Sequence, residues 1–525
     1  MNKLYISLLL CGASLMASAQ ATFDVLKLSE TELNGTARYM SMAGAYGAVG
    51  GDVSAISQNP GGIGIYRSSD IGVTMNLNFQ KTQTPGDKLT DTKFMFNNVG
   101  YVGSMKIDSE VFKYFNWGFS FNRINSFNRR YQGGYTIGHS ITNKIADNLN
   151  AGNWTDVDLS TSTYGDNNIY YECNAPWLGI LAYQSYLING TSDGSLQGLA
   201  GAGTTGKANY YVDESGHTDE YNITLGGNFS NKVYWGLNFG ITDLDFDSYQ
   251  YYGEDLDNAY IYNYLTNDGR VDQGYAGFDF QSYQETRGTG YNFKMGLIVK
   301  PINELRIGAA FHTPTYYQMK DLYKVQSGFD LLLDNDDEGF SDKTETGVKG
   351  YYDEYRYTIK TPWRFIGSLA VVPNSKGLIS MDYEYVGANT MRCGDEDGGN
   401  YYDTESKIKN QLQPSHILRV GAEYRVTPNV SLRAGYSYQT SPVKDEVKEK
   451  ADEYVDVVSS NYMYQYDKSN QYITAGLGYR YQKFYLDLAY VHQARKSQYH
   501  AYPGEIGEEV KDNNNKVALT LGFRF

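Results

Sequence analysis

The last ten residues of the chain have two different faces. Val517, Leu519, Leu521, Phe523 and Phe525 alternate with Lys516, Ala518, Thr520, Gly522 and Arg524. A period of two belongs to a β-strand with one apolar face. The same period recurs at Ile71/Val73/Met75/Leu77/Phe79, Trp117/Phe119/Phe121, Tyr221/Ile223/Leu225, Trp235/Leu237/Phe239/Ile241 and Tyr291/Phe293/Met295/Leu297/Val299. Further along come Leu305/Ile307/Ala309/Phe311, Ile379/Met381/Tyr383/Tyr385, Leu418/Val420/Ala422/Tyr424, Leu432/Ala434/Tyr436/Tyr438, Ile473/Ala475/Leu477/Tyr479 and Phe484/Leu486/Leu488/Tyr490. With weaker runs at Val99 to Met105 and Trp363 to Val371, about fourteen strands are expected, an even number as a closed single-chain barrel requires.

The connections alternate in length as regularly as the side chains alternate in polarity. Ser230 to Lys232, Pro301 to Glu304, Pro373 to Lys376, Thr427 to Asn429 and Gln482-Lys483 read as tight turns. Between them lie long polar stretches: Asn128 to Thr218, Asp245 to Thr289, Thr315 to Thr358, Gly387 to Ser415, Thr440 to Asn470 and Ala494 to Asn515. An outer-membrane barrel has short periplasmic turns and long external loops, and a soluble sandwich has no reason to follow that rule. The expected fold is therefore all-β, a transmembrane antiparallel barrel with long extracellular loops. Its terminal strand, ending on the aromatic Phe525, resembles the signal read by the barrel assembly machinery.

Composition agrees. The mean hydropathy of −0.51 excludes a bundle of membrane helices, each of which needs about 20 consecutive apolar residues. Among 51 tyrosines, those at the ends of apolar faces, such as Tyr385, Tyr424, Tyr438, Tyr479, Tyr481 and Tyr490, fit a girdle with the ring in lipid and the hydroxyl in water. A formal charge of −15 argues against nucleic acid as a partner.

Residues 1–19 read as a signal peptide: Lys3, the apolar Ile6 to Leu10, and Ala17-Ser18-Ala19 before the cleavage point. Cys11 follows Leu10, where a lipoprotein site wants a small residue. Residues 20–69 have no period-two run but are rich in small residues, and they also carry Met40, Met42, Ile56, Ile63 and Ile65. Ahead of a closed barrel (residues 70–525), such a segment has a place in the lumen as a plug.

Ala43-Gly44-Ala45-Tyr46, Gly51-Asp52-Val53-Ser54-Ala55 and Asn59-Pro60-Gly61-Gly62-Ile63 resemble the N-terminal hatch of FadL-type outer-membrane transporters of long-chain fatty acids and aromatic hydrocarbons. Leu305 to Phe311 and Ser431 to Tyr438 look like barrel strands of the same family. The resemblance implies a fourteen-stranded barrel plugged by its N-terminus. It also implies passive uptake of a hydrophobic molecule, with release into outer-membrane lipid through a gap near the third strand. The family's Asn-Pro-Ala becomes Asn59-Pro60-Gly61 here. Gly118, in the third strand, is either a weak point in the wall or a packing glycine. Apolar residues in the loops, Trp177, Leu178, Ile180 and Leu181 after Pro176, and Leu331 and Leu332, either line a capture groove or form the core of a cap. A structural or type IX-like secretion barrel that docks proteins, and a surface haemin receptor, are the alternative functions.

Other motifs carry less. Gly201 to Ala208 matches G-x-G-x-x-G but has no buried strand before it, and Ala208 lacks the hydroxyl a nucleotide-bound magnesium needs. Asp334, Asp336, Glu338, Asp342 and Glu345 fall at EF-hand-like positions in an acidic loop, a spacing that allows calcium. His139, His217 and His500 have no metal spacing, so haem ligation has no motif behind it. No hydrolase motif appears, so no enzyme and no cofactor are expected. Cys173 and Cys393 lie in different loops, and the oxidising compartment allows a disulfide between them.

Overall fold

A computed structural model describes residues 22–165, 168–262, 271–333, 339–345, 353–374, 376–451, 455, 458 and 460–525. Residues 1–19, read as a signal peptide, lie outside this set, as do Asp334, Asp336 and Glu338 of the acidic loop. Fourteen antiparallel strands close into a barrel. They are β1 (Asp70–Gln83), β2 (Lys88–Lys106), β3 (Phe112–Ser126), β4 (Thr205–Phe229), β5 (Val233–Tyr262), β6 (Val271–Ile302) and β7 (Leu305–His312). The ring continues with β8 (Arg364–Val371), β9 (Gly377–Val386), β10 (Ser415–Arg425), β11 (Val430–Thr440), β12 (Tyr464–Tyr481), β13 (Phe484–His500) and β14 (Glu508–Arg524). Pairing of Asp70 with Arg524 through to Gln83 with Lys511 closes β1 on β14. Closure satisfies the backbone without a lipid-exposed edge.

Alternation sorts the strands as lipid requires. Ile71, Leu237, Met295, Leu432, Leu488 and Leu519 are exposed on the outside, while their neighbours Thr74, Asn238, Asn292, Arg433, Asp487 and Thr520 are buried inside. Tyr424, Tyr438, Tyr479, Tyr481 and Tyr490 are exposed at the ends of this apolar band.

The strands do not stop where the band stops. β4, β5 and β6 run for 25, 30 and 32 residues, whereas about 9–11 tilted residues span a bilayer. Most of Asp245 to Thr289, and the end of Asn128 to Thr218, are therefore strand rather than loop. Beyond the band the polarity inverts: Leu244 and Phe246 are buried inside, and Asp243, Asp245 and Asp247 turn outward. Further strands, including Arg129–Thr136 on β4 and Tyr316–Leu333 on β6, lengthen this outer wall.

Helices Ile141–Ala151 and Trp177–Gln184 fold over the extended wall. Leu178, Ile180, Leu181 and Leu331 are buried in one apolar cluster there with Ile145, Leu149 and Phe278. A second cluster joins Phe23 and Leu26 of the N-terminal helix Thr22–Leu28 to Phe246, Tyr357 and Ile408. Cys173 and Cys393 are free and sit in separate clusters, so no disulfide joins them. Burial pushes the Cys393 thiol up to about 12, far from the reactive thiolate.

Residues 22–69 run down the lumen from this outer end to β1. Gly61 lies against the wall: a Cβ there would lie 2.9 Å from Leu297 N and 3.0 Å from the Gly296 carbonyl. The wall replies in kind, since a Cβ on Gly236 would lie 2.0 Å from the Pro60 oxygen. Plug and barrel thus meet backbone to backbone at several points, each marked by a glycine such as Gly64 against Gly227 and Gly308 against Gly47. Asn59 locks the contact: its Oδ1 accepts from Gly61 N at 3.0 Å and its Nδ2 donates to Leu297 O at 3.3 Å.

Candidate functional site: a lumenal cavity beside a break in the wall

Between the plug and the outer cap lies a cavity of about 140 Å³. Its floor is hatch, with Tyr39, Ser54, Ser57 and Gln58, and its walls come from β3, β4, β6, β7, β8, β9 and β10. The inward phase of each strand brings charge to it. Lys294 Nζ donates to both oxygens of Glu220 at 2.6 and 2.7 Å. Glu384 accepts from Arg364 at 3.0 Å and from Arg419 at 2.7 Å. His312 Nε2 donates to the Gln58 carbonyl at 2.8 Å. Every cation on this wall has a carboxylate, so the cavity is polar without being a net attractor of anions. Burial, with Asp467 beside it, pushes the Glu30 carboxyl up from its ordinary range at the outer edge of the cavity.

Ile124, Ile366, Leu28, Pro362 and Tyr317 give the same cavity an apolar share. Thr218 Oγ1, Asn292 Oδ1 and Arg419 Nη1, on lining residues, are buried with no hydrogen-bond partner among the described residues.

One side of the cavity adjoins a break in the barrel. β2 pairs with β3 only from Asn98↔Asn122 to Lys106↔Tyr114, so Lys88–Phe96 has a ladder partner on the β1 side alone. The cause is a bulge: Thr74 pairs with Asn98 but Met75 with Phe96, leaving Asn97 extra. Bulges shift side-chain phase and end pairing, and here Val99 faces out on one side of the bulge and Phe94 on the other. Phe94 pairs across to Leu77, inside the apolar band. The break therefore opens within the lipid-facing zone.

Side chains, not a ladder, bridge it: Gln80 Nε2 donates to Asn128 O at 2.6 Å, and Thr84 Oγ1 to Gln132 O at 2.7 Å. On the inside, the hatch occupies the freed edge of β3, with Glu32 N donating to Ile124 O at 2.9 Å. Asn122 and Ile124, at and just past the end of the pairing, line the cavity. The Glu32 stretch lines the cavity and bonds to the freed edge, and Lys516 Nζ holds that stretch by Glu32 at 3.0 Å and Asn34 at 3.1 Å.

The residues singled out from the sequence fall differently. Asn59, Pro60 and Gly61 seat the hatch and do not line the cavity. Gly118 is paired on both sides, with Val102 and Thr224, and faces Ile63 of the hatch; it is a packing glycine, and the wall fails at Asn122 instead. Leu178, Ile180, Leu181 and Leu331 are core of the cap and line no groove, because their helix and strand face each other. Trp177 packs on Tyr323 with ring centroids 5.3 Å apart, and Leu332 alone of the six is exposed. Asp342 lies in the strand Gly339–Glu345 paired to Phe329, and no cluster of metal-binding side chains occurs among the described residues.

A plugged fourteen-stranded barrel with an apolar outer band and a cavity beside a lateral break defines the class: a membrane-spanning barrel with a lumenal site. The outer membrane protein transport protein family (OMPP1/FadL/TodX) matches residues 223–524, more than half of the chain, and the chain belongs to it. A FadL homologue of Pseudomonas aeruginosa has the same fold at 12% identity, with a TM-score of 0.53 over 95% of this chain and 100% of that one. The deltaS2 mutant of the TodX monoaromatic hydrocarbon channel matches at 10% identity with a TM-score of 0.50, over 94% of this chain and 100% of that one. A sequence comparison with curated proteins finds no match.

Proposed function

We propose that this outer-membrane transport protein carries a small amphipathic molecule, of the size of one substituted aromatic ring, from outside to the bilayer. The long-loop end faces out and the short turns face the periplasm. The observation that carries the reading is the shared boundary of cavity and break at Asn122 and Ile124. A solute held there reaches lipid when the Glu32 stretch moves, and its apolar part gains by leaving water.

Size and lining narrow the cargo. A cavity of about 150 Å³ accepts benzene when its walls are apolar; this one is of similar volume but ringed by hydroxyls, amides and ion pairs, which favours a phenol or aryl alcohol over an extended acyl chain. Long-chain fatty acids, the wider expectation from the family resemblance, need a longer apolar track than the described residues offer.

Uptake of radiolabelled 4-ethylphenol and of oleate into a host lacking its own hydrocarbon transporters tests this. Protein-dependent uptake of the phenol, abolished by Ser57→Trp in the cavity floor, is expected. Uptake of oleate alone would overturn the size argument, and uptake of neither would overturn transport.

A further inference from the structure

A second cavity, of about 240 Å³, opens at the short-turn end on the seam between hatch and wall. We propose that it is an anion site, taking a carboxylate or phosphate group between Arg425 and Arg480.

Five guanidiniums line it against four carboxylates. Three of the arginines are accounted for. Arg38 and Arg433 share Glu423, at 3.2 and 2.6 Å, and Arg433 also reaches Asp487 at 2.6 Å. Arg524 pairs with Asp70 at 3.0 Å. Asp52 neutralises none of them closely, because the hatch uses it: it accepts from the Thr36 hydroxyl at 2.7 Å and from Ser54 N at 3.0 Å. Arg425 and Arg480 are left with no carboxylate within 4.0 Å among the described residues.

Their positions are set by the barrel. Arg425 pairs with Ser431 across β10–β11, Ser431 pairs with Gly478 across β11–β12, and Arg480 N donates to Asn429 O at 2.8 Å. The side chains of Arg425, Ser431 and Arg480 share the inward phase, so two arginine forks face one lumenal space with Ser431 and Asn429 between them. Two like charges held on one wall repel each other, and an oxyanion bridging them turns that repulsion into charge-assisted hydrogen bonds whose planar fork geometry matches carboxylate and phosphate. Nothing in this depends on what crosses the barrel.

Two sources share the chemistry, a free anion and the headgroup of an anionic lipid reaching between the strand ends. Full-length protein in non-ionic detergent is titrated with inorganic phosphate and with hexanoate by calorimetry at low salt, with hexanol as the uncharged control. The same protein in nanodiscs of phosphatidylglycerol or phosphatidylcholine is assayed by native mass spectrometry for retained lipid. Phosphate or hexanoate binding, weakened at least about tenfold in Arg425→Gln/Arg480→Gln, identifies a free-anion site. Retention of phosphatidylglycerol but not phosphatidylcholine, lost in the same variant, identifies a headgroup site. Arg425→Lys/Arg480→Lys keeps the charge without the fork and should bind with intermediate strength, which guards against misfolding of the glutamine variant. Binding of neither anion nor phosphatidylglycerol by the native protein, or binding indifferent to both variants, overturns the proposal.

Discussion

β5 is two strands in one. From Trp235 to Ile241 its outer face is apolar and its inner face carries Asn238 and, past the end of the band, Thr242; from Asp243 to Asp247 the outer face is acidic and the inner face carries Leu244 and Phe246. The backbone and its period are continuous across the switch. What changes is the solvent: hydrocarbon outside and a wet lumen inside in one half, water outside and a packed cap inside in the other. The lower half is held by the barrel ladder, glycine contacts with the hatch and paired charges. The upper half is held, like a soluble domain, by buried apolar area. The two halves should therefore fail separately.

The largest effect expected is in the upper half. Phe246 is buried against Phe127, with ring centroids 5.1 Å apart, and Phe246→Ala should cost the cap about 3–5 kcal/mol. Limited proteolysis should then cut between residues 127 and 204 while the barrel keeps its heat-modifiable migration on gels. The mirror experiment is Leu237→Arg, which places a charge in the apolar band at a cost of about 2–4 kcal/mol. Membrane insertion should suffer, and in the molecules that do insert the cap should resist protease as before. If either substitution unfolds both halves together, the division is wrong.

How much of this could be read from the sequence follows the same line. Below the switch, period-two runs and alternating turn lengths marked strands because lipid demands an apolar outside at every other residue. Above it the alternation persists, in Leu244-Asp245-Phe246-Asp247 for instance, but inverted in phase, so polar outer residues made strand look like loop. The break in the wall also left a trace: the apolar sequence shifts from Phe94 and Phe96 to Val99 and Tyr101 across Asn97-Asn98, a change of phase that marks a bulge. The cavity left none. Lys294 and Glu220 are 74 residues apart, and only the register of β4, β5 and β6 brings them together.

Next in size is the hatch contact. Gly236→Ala puts a methyl group into the Pro60 carbonyl, and overpacking of this kind costs about 1–3 kcal/mol. Because the hatch is held by individual contacts and the wall by continuous ladders on both sides of Gly236, the strain should appear as an unseated plug rather than an unfolded barrel. Conductance in planar bilayers should rise, with the belt and cap unchanged by gel migration and proteolysis. Unchanged conductance would mean that the plug closes the lumen without this contact.

The smallest effect concerns Glu30, which lies where the two halves meet. Burial and Asp467 raise its carboxyl in the folded protein above its unfolded value. A raised acid binds its proton more tightly in the folded state, so its contribution is present in full below the unfolded value and is lost as pH climbs through the folded one. The outer-end melting transition should therefore fall in temperature as pH rises above the ordinary carboxyl range. Glu30→Gln cannot ionise and should flatten that part of the profile, leaving the barrel transition where it was. A native profile already flat over this range would show that Glu30 is ionised at no cost, with Arg495, Lys27 and Arg129 nearby supplying enough compensation to make the seam between lumen and cap electrostatically neutral.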